Sequence, residues 1–279
     1  MAMICSVAWS SAFLPAHATI VVTSNSNANS LASAVTALGG PGIVVTNATL
    51  SGRTLGAASS TGTFSANGAT YGLSGSGIVL SSGNVLSYGS GANTTSQFST
   101  TYGVAASAAQ NTLLSPISGQ LSHFDVTELS ITFNTLLGFD RLFVSVVYGS
   151  EEFPEFIAST EIDPFGIFLN NTNIAISGGF PVTSRHPDFA AIPGTELDGV
   201  LAPGGIPVVT YSAFVGGGTT GNTLRFVIAD TLDSQLDSTA YISALGGQTL
   251  ETIPEPTSLA IWSIGVVALA RLRVQRRSQ

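Results

Sequence analysis

The stretch Leu129-Ser130-Ile131-Thr132-Phe133 alternates apolar and polar residues. A period of two places the apolar side chains on one face of a β-strand, so the pattern indicates a sheet with one face in a core. Eight more stretches read as strands, because they are short, apolar and bounded by turn residues. They are residues 43–50, 77–80, 142–148, 166–169, 173–177, 207–211, 224–229 and 239–244. Residues 170–172 predict a tight hairpin turn.

Nine short strands without long intervening helices predict a mainly β protein, a single β-sandwich of jelly-roll type. One short helix precedes them, with a polar cap, an apolar stripe and a glycine stop. These features are Asn29 or Ser30, then Leu31, Val35 and Leu38, then Gly39-Gly40. Residues 53–76 and 87–120 are rich in Gly, Ser, Thr and Ala, so we expect surface loops there.

The charge is distributed unevenly. The formal net charge is −8, but four of the eight Arg lie in the last nine residues, and Lys is absent. Residues 19–258 therefore hold all 16 acidic residues against four Arg. Such a domain repels nucleic acid and anionic lipid, so we expect no nucleic-acid partner. The only cysteine, Cys5, precedes this domain, which excludes disulfides, zinc–thiolate sites and a cysteine nucleophile within it.

The first 18 residues predict a signal peptide. Their apolar run ends in Ala16-His17-Ala18, the small-x-small pattern of a signal-peptidase site, which would make Thr19 the first mature residue. No Lys or Arg stands before the apolar run, so a buried N-terminal strand is the alternative. The predicted organisation is a signal peptide at 1–18, a β-sandwich domain at 19–250 and a C-terminal tail at 251–279.

The C-terminal tail has three parts in a fixed order. Pro254-Glu255-Pro256 is followed by a hydrophobic segment, residues 257–270, and then by a basic end, residues 271–277. The basic side chains are those of Arg271, Arg273, Arg276 and Arg277. Apolar residues enter the bilayer and the Arg cluster stays on the cytoplasmic side, as in a stop-transfer helix. Spanning takes about 20 apolar residues, so this short segment favours a transient anchor over a permanent one.

These residues resemble the PEP-CTERM sorting tail of Gram-negative bacteria. The resemblance implies recognition and cleavage by an exosortase-type enzyme at the inner membrane, with transient membrane anchoring. It also implies a cell-envelope or biofilm-matrix destination, with exopolysaccharide or other surface proteins as partners. An ordinary C-terminal membrane anchor behind a Pro-rich linker is the alternative.

The centre of the chain carries a second resemblance. The segments FDVTEL (124–129), YGSEEFPEF (148–156), DPFGIFL (163–169), DG (198–199) and IADTLDSQLDS (228–238) are similar to the choice-of-anchor L domain. The similarity runs from about Asn29 to Leu245. It implies a surface protein of a group whose members differ in how they are anchored, and it brings no defined biochemical activity.

Eight of the 16 acidic residues fall in two short segments, Glu151 to Asp163 and Asp230 to Asp237. Crowded carboxylates repel one another unless a cation lies between them, and calcium accepts six to eight oxygen ligands from facing loops. The sequence therefore predicts a calcium site. Its candidate ligands are Glu151, Glu152, Asp163, Asp230, Asp233 and Asp237. The alternative is a solvated acidic rim whose side chains cap turns.

No catalytic constellation is evident, so we expect no enzyme. Glu161-Ile162-Asp163 begins the Glu-x-Asp-x-x-Glu pattern of jelly-roll glycosidases, but Gly166 occupies the final position. No Gly-x-Ser-x-Gly elbow frames a nucleophile. His123 and His186 are expected to be structural or surface residues, with His186 in an exposed loop.

These observations predict a non-enzymatic surface or matrix protein with a structural or interaction role. The alternative is a calcium-dependent carbohydrate-binding module. That alternative requires exposed aromatic rings on which a sugar can stack. Its candidate rings are Tyr71, Tyr88, Phe98 and Tyr102.

Overall fold

Two antiparallel β-sheets form the body of the protein in the computed structural model, which describes residues 19–66, 70–73 and 75–249. The predicted signal peptide (1–18) and sorting tail (251–279) lie outside these residues. The early strands are β1 (Ile20–Ser24), β2 (Ile43–Ser51), β3 (Thr54–Leu55), β4 (Ala58–Ser59), β5 (Thr61–Ala66), β6 (Gly75–Ser81), β7 (His123–Thr135) and β8 (Arg141–Ser150). The later strands are β9 (Phe165–Leu169), β10 (Thr172–Asn173), β11 (Ile176–Ser177), β12 (Phe180–Pro181), β13 (Phe189–Ala190), β14 (Gly199–Leu201), β15 (Val209–Phe214), β16 (Asn222–Thr231) and β17 (Ser238–Gln248).

The helices are short. The α-helices are α1 (Ala28–Thr36) and α2 (Ala108–Ser118), and 3-10 turns occupy Thr70–Gly72, Val85–Tyr88 and Pro203–Gly205. Among the described residues, no helix is long and apolar enough to cross a bilayer.

The two large sheets differ in size. The first has eight strands in the order β1-β5-β6-β17-β8-β14-β13, and β15 also pairs with β8. The second has five strands in the order β10-β9-β16-β7-β2. The expectation of a mainly β, sandwich-like protein is confirmed. The jelly-roll subtype stays a prediction, because these sheets hold more strands than the eight of a double Greek key.

The main core lies between the inner faces of the two sheets. On β7, Leu129, Ile131 and Phe133 are fully buried, whereas Ser130 and Thr132 are only partly buried. The alternation in the sequence is thus the alternation of core and outer face. The same core contains residues of β16 in the same sheet, namely Leu224, Phe226 and Ile228. It also contains residues of the other large sheet, namely Ile78, Leu80, Leu142, Val144 and Ile242.

The outer faces of both sheets are also partly covered. Val79, Val147 and Tyr241 on the first sheet pack in a second cluster with Tyr71 and Tyr88. The prediction that Tyr71 and Tyr88 are exposed platforms is therefore wrong, since both rings lie in this cluster. On the second sheet, Val227 and Ala229 pack under Leu114 and Ile117 of α2.

The segments predicted to be loops contain regular structure. Residues 53–76 include β3, β4, β5 and the start of β6, and residues 87–120 include α2. Ser107 and Gln110 form a capping box at the start of α2, and Gly119 ends it with a left-handed φ of 76°. The helix forms because its apolar side packs on the sheet, a contact that composition does not reveal.

The helix predicted near residue 30 exists, with a different cap. The Asn27 side chain accepts a hydrogen bond from Ser30 N at 2.9 Å, so α1 begins earlier than Asn29 or Ser30 would place it. Leu31 and Val35 are buried, but Leu38 lies beyond the helix and is 49% exposed. A Cβ at Gly39 would lie 1.8 Å from the Leu245 carbonyl oxygen, so this glycine allows the helix end to contact β17.

The predicted hairpin turn is confirmed between β9 and β10. Thr172 pairs with Leu169, which leaves Asn170 and Asn171 as a two-residue turn. Both have positive φ, 47° and 69°, as a type I′ turn requires. The strand predicted over residues 173–177 is interrupted, since β10 ends at Asn173 and β11 begins at Ile176.

Two phenylalanines, one on each large sheet, differ in how deeply they are buried and so test the position of the core. Phe226 is fully buried on β16, whereas Phe143 on β8 is only partly buried. Phe226→Ala should lower the free energy of unfolding by roughly 3 to 5 kcal/mol, and Phe143→Ala should cost less. Urea denaturation of both variants measures the difference. Equal losses would contradict this assignment of the core.

Candidate functional site

Both acidic segments meet at one end of the sandwich. Ser150 ends β8 and pairs with Ser238, the first residue of β17, so Glu151 and Asp237 are neighbours. The Glu151 N–H donates to the Asp237 carbonyl oxygen at 3.1 Å. Asp230, near the end of β16, and Asp163, just before β9, come from the second sheet. Their carboxylates influence one another electrostatically.

Several acids attach one loop to this end. We name residues 93–104 the acid-anchored loop, because eight of its backbone N–H groups donate to five carboxylates. Asp125 accepts from Tyr102, Gly103 and Val104 at 2.7–3.0 Å, Asp237 from Thr100 at 2.9 and 3.1 Å, and Glu151 from Phe98 at 3.0 Å. Asp198 accepts from Gln97 at 3.0 Å, and Glu196 accepts from Thr94 and Thr95 at 2.9 and 3.0 Å. Irregular backbone needs such acceptors, and here acids distant in sequence supply them.

Three acids that hold this loop were not among the predicted site residues, namely Glu196, Asp198 and Asp125, and the most deeply buried of them is Asp125. It is fully buried and has a left-handed φ of 49°, beside the irregularity in β7–β16 pairing between Ile228 and Asp230. No acidic segment surrounds Asp125, so density of charge could not reveal it. Gly83 is a second requirement of this end, since a Cβ there would lie 1.6 Å from Asp237 Oδ2.

Three other buried carboxylates form no hydrogen bond with the acid-anchored loop. Asp230 is fully buried, and neither of its oxygens has a hydrogen-bond partner among the described residues. Glu152 is 1% exposed and its Oε2 has no partner there either. Asp163 is better satisfied, because Thr231 N donates to Oδ1 at 3.0 Å and Ser238 Oγ donates to Oδ2 at 2.8 Å. We name these three the deep carboxylates: Glu152, Asp163 and Asp230.

Hydroxyl groups surround the deep carboxylates. Tyr148 OH donates to the Asp163 carbonyl oxygen at 2.8 Å. Ser82 Oγ donates to the Ser238 carbonyl oxygen at 3.4 Å. The same hydroxyl group lies near Asp230 and lowers the pKa of that carboxyl group, but it does not form a hydrogen bond of good geometry with either carboxylate oxygen. Hydroxyls orient and partly solvate carboxylates, but they cannot neutralise the charge.

Burial dominates the electrostatics of this end. Desolvation raises the pKa of Asp230 and Asp163 well above the ordinary value, and the neighbouring carboxylates raise both further. Desolvation also raises the pKa of Glu151 to about 9, of Glu152 to about 8 and of Asp237 to about 6. The ion pairs within the described residues are Arg225 with Glu128 and His186 with Asp188, so no cationic side chain balances this cluster there.

Of the six predicted metal ligands, five are buried at this end and one lies at its edge. Asp233 is exposed, accepts from Gln235 N at 3.1 Å and acts on Glu152 electrostatically. The Asp237 carboxylate accepts hydrogen bonds from the acid-anchored loop. In Glu151 only Oε2 accepts from this loop, and Oε1 has no hydrogen-bond partner among the described residues. Within the ranges that the structure describes, no three His, Cys, Asp or Glu side chains converge as a ready metal-ligand set.

The two histidines within the described residues, His123 and His186, are buried. His123 contacts Ser118 Oγ through Nε2 and Asn111 Oδ1 through Nδ1, both at 2.8 Å, which joins α2 to β7. Burial lowers its pKa to about 4. His186 is 4% exposed, so its predicted place in an exposed loop is wrong: its Nε2 donates to the Ser177 carbonyl oxygen at 3.0 Å.

Two surface cavities lie away from these groups. One of about 760 Å³ is lined by Tyr71, Ile192 and Pro207 among others, and one of about 770 Å³ lies between α2 and β9, beside Leu113 and Phe168. Neither contains Ser118, His123 or a deep carboxylate. The Ser118–His123–Asn111 chain thus has the order of a nucleophile relay but opens into neither cavity.

The fold is a sandwich-like β domain in which buried acids organise a loop. The choice-of-anchor L domain model matches residues 20–200, more than half of the chain. The chain therefore belongs to the choice-of-anchor L domain family, which implies an exported, surface-anchored protein. The match ends before β16, so Asp230 and Asp237 lie beyond it. No curated protein and no solved structure was found to match the chain.

Asp125 tests the attachment of the acid-anchored loop. Asp125→Ala leaves three backbone N–H groups without acceptors, each at a cost of about 1 to 3 kcal/mol where water cannot replace the carboxylate. Hydrogen–deuterium exchange of residues 93–104 should accelerate. Asp233→Ala, which removes an exposed acid, serves as the control and should leave this exchange unchanged. Unchanged exchange in Asp125→Ala would contradict the role of the carboxylate.

The pH dependence of stability follows from the raised pKa values. A carboxyl group with a raised folded-state pKa stabilises the fold below its unfolded pKa, and this stabilisation is lost as pH rises through the folded pKa. For Glu152 and Glu151 the loss extends to about pH 8 and about pH 9. His123 acts in the opposite sense below its ordinary pKa of 6.5.

Between pH 6.5 and 9 the carboxyl groups therefore dominate. With chelator present, the free energy of unfolding should fall as pH rises across this window, and urea denaturation at successive pH values measures it. Glu151→Gln should flatten the upper part of the curve. A stability that rises with pH in chelator would contradict the assignment.

Proposed function

We propose that this chain is a non-enzymatic protein of the cell surface or extracellular matrix, exported by its signal peptide and sorted through its PEP-CTERM-like tail. The observation that carries the proposal is the choice-of-anchor L match over residues 20–200. The tail adds a specific route, because Pro254-Glu255-Pro256, an apolar segment and a basic end occur in the order that a sorting signal requires.

A structural or interaction role is supported by how the domain uses its polar groups. Acids that could serve as paired catalytic groups instead accept backbone N–H groups of the acid-anchored loop. The Ser118–His123 pair joins α2 to β7 and lines neither described cavity. In a role of this kind the loops and outer strands meet other envelope or matrix components.

The carbohydrate-binding alternative has lost part of its support. It required exposed aromatic rings, but Tyr71 and Tyr88 are buried, while Phe98 and Tyr102 are partly buried. Phe98 packs edge-on against Tyr88 with ring centroids 6.2 Å apart. A glycan array with and without calcium remains the direct test, and binding of a defined glycan would favour this alternative over a purely structural role.

Sorting is the feature of the proposal that is easiest to test. Because Pro254-Glu255-Pro256 and the basic end act as separate signals, Glu255→Gln should block processing of the tail while export across the inner membrane continues. Cell fractionation and intact-mass measurement give both readouts. Glu251→Gln, four residues upstream, serves as a matched control and should be processed normally.

The proposed sorting route predicts a specific mature product. Wild-type protein recovered from the surface should lack Arg271, Arg273, Arg276 and Arg277, because cleavage removes the basic end. Retention of these residues in the surface form would overturn the sorting route.

A further inference from the structure

We infer that the deep carboxylates Glu152, Asp163 and Asp230 form a divalent-cation site inside the end of the sandwich, with calcium as the favoured ion. This inference does not depend on the proposed sorting route. It narrows the six ligands expected from the sequence to three. The other three are Glu151 and Asp237, which the acid-anchored loop engages, and Asp233, which is exposed.

The deep carboxylates lack compensating positive charge among the described residues. Burying an ionised carboxylate without a partner is costly, and buried charges in proteins are normally paired or bound to metals. Here the three carboxylates are at most 1% exposed, and no Arg or His forms an ion pair with them within the described ranges. The other titratable groups that interact with them include Asp125, Asp233, Asp237, Glu161, Tyr88 and Tyr148, and none of these brings positive charge.

A bound cation satisfies the oxygens of Asp230 better than a proton does. A protonated Asp230 would be neutral, but its O–H would need an acceptor and its other oxygen a donor. Neither Oδ1 nor Oδ2 has a hydrogen-bond partner among the described residues. A bound ion contacts carboxylate oxygens directly and so satisfies both the charge and the unpaired oxygens of Asp230 and Glu152.

Two acids nearer the surface interact with the deep carboxylates. Asp233 is exposed, Glu161 is partly exposed, and both act electrostatically on Glu152. Glu152 in turn acts on Asp163, and Asp163 on Asp230. Electrostatic interactions thus connect the deep carboxylates with two acids nearer the surface, and this concentration of negative charge attracts a cation toward this end of the sandwich.

The donor chemistry selects calcium. The available ligands are carboxylate and hydroxyl oxygens, with Ser82 and Ser238 beside the acids, and the buried histidines belong to other parts of the fold. Such hard oxygen donors suit calcium or magnesium rather than zinc or copper. The three carboxylates do not converge as a ready ligand set in the structure described, so binding of an ion requires their side chains to rotate. Calcium accepts irregular ligand geometry more readily than magnesium, which requires a near-ideal octahedron.

The test uses protein purified after expression of the full chain and freed of metal by a chelator. Near neutral pH, calcium at about 100 times the Kd should raise Tm by about 5 to 10 °C relative to chelator, and magnesium should raise it less. Calorimetric titration with calcium should show saturable heat. Terbium luminescence sensitised by Tyr148 should appear and be displaced by calcium, because this tyrosine donates to Asp163.

Isosteric variants locate the site. Asp230→Asn should abolish the calcium-dependent rise in Tm, and it should melt in chelator at or above the wild-type temperature, since it removes an uncompensated charge. Glu152→Gln gives the same test if Asp230→Asn does not fold. Glu155→Gln is the matched control, because Glu155 lies in the same acidic segment but is exposed, and it should keep the full response.

Two outcomes overturn the inference. The first is wild-type protein with no heat of calcium binding and the same Tm in calcium and chelator, which would leave the deep carboxylates as protonated acids. The second is a full calcium response in both Asp230→Asn and Glu152→Gln, which would place any calcium site elsewhere.

Discussion

The burial of carboxylates at one end of the sandwich is the constraint on which the rest of the domain depends. Six acidic side chains there are at most 1% exposed, namely Asp125, Glu151, Glu152, Asp163, Asp230 and Asp237. Charge in such a place must be compensated, and the protein does this in two ways. Asp125, Glu151 and Asp237 accept hydrogen bonds from backbone N–H groups of the acid-anchored loop. These bonds hold a segment that has no regular secondary structure of its own. For the deep carboxylates, of which Asp230 and Glu152 keep oxygens without hydrogen-bond partners among the described residues, we infer a bound cation instead.

This arrangement links the two sheets. Glu151 and Glu152 directly follow β8 and Asp237 directly precedes β17 in the first sheet, whereas Asp163 precedes β9 and Asp230 lies near the end of β16 in the second. Away from this end the sheets are held by apolar contacts around Phe133 and Phe226, which are insensitive to pH and ions. The domain therefore combines a permanently stable apolar centre with one end whose stability depends on the solution around it.

The strand framework was predictable because it rests on local patterns. The alternation at Leu129 to Phe133 gives the facing of β7 directly, and Asn170-Asn171 gives the hairpin because both residues tolerate positive φ. Segments without periodicity were misjudged. Helix α2 is held by a capping box and by packing of Leu114 and Ile117 against β16, and β1 and β5 gain regularity only by pairing. Tyr71 and Tyr88 likewise lie in polar sequence but are covered by the outer cluster.

The sequence by itself determined the fold class, the acidic character of the domain and the two segments that crowd their charge. Each of these follows from composition and spacing, which are local properties of the chain. Only the tertiary structure decided what each carboxylate does. The Asp125 carboxylate accepts hydrogen bonds from a loop about 20 residues before it, and the Asp237 carboxylate accepts from Thr100 N, 137 residues away. Neither carboxylate oxygen of Asp230 has a hydrogen-bond partner among the described residues. A hydrogen-bond partner is assigned by proximity in space, and strand pairing sets that proximity over sequence distances at which spacing carries no information.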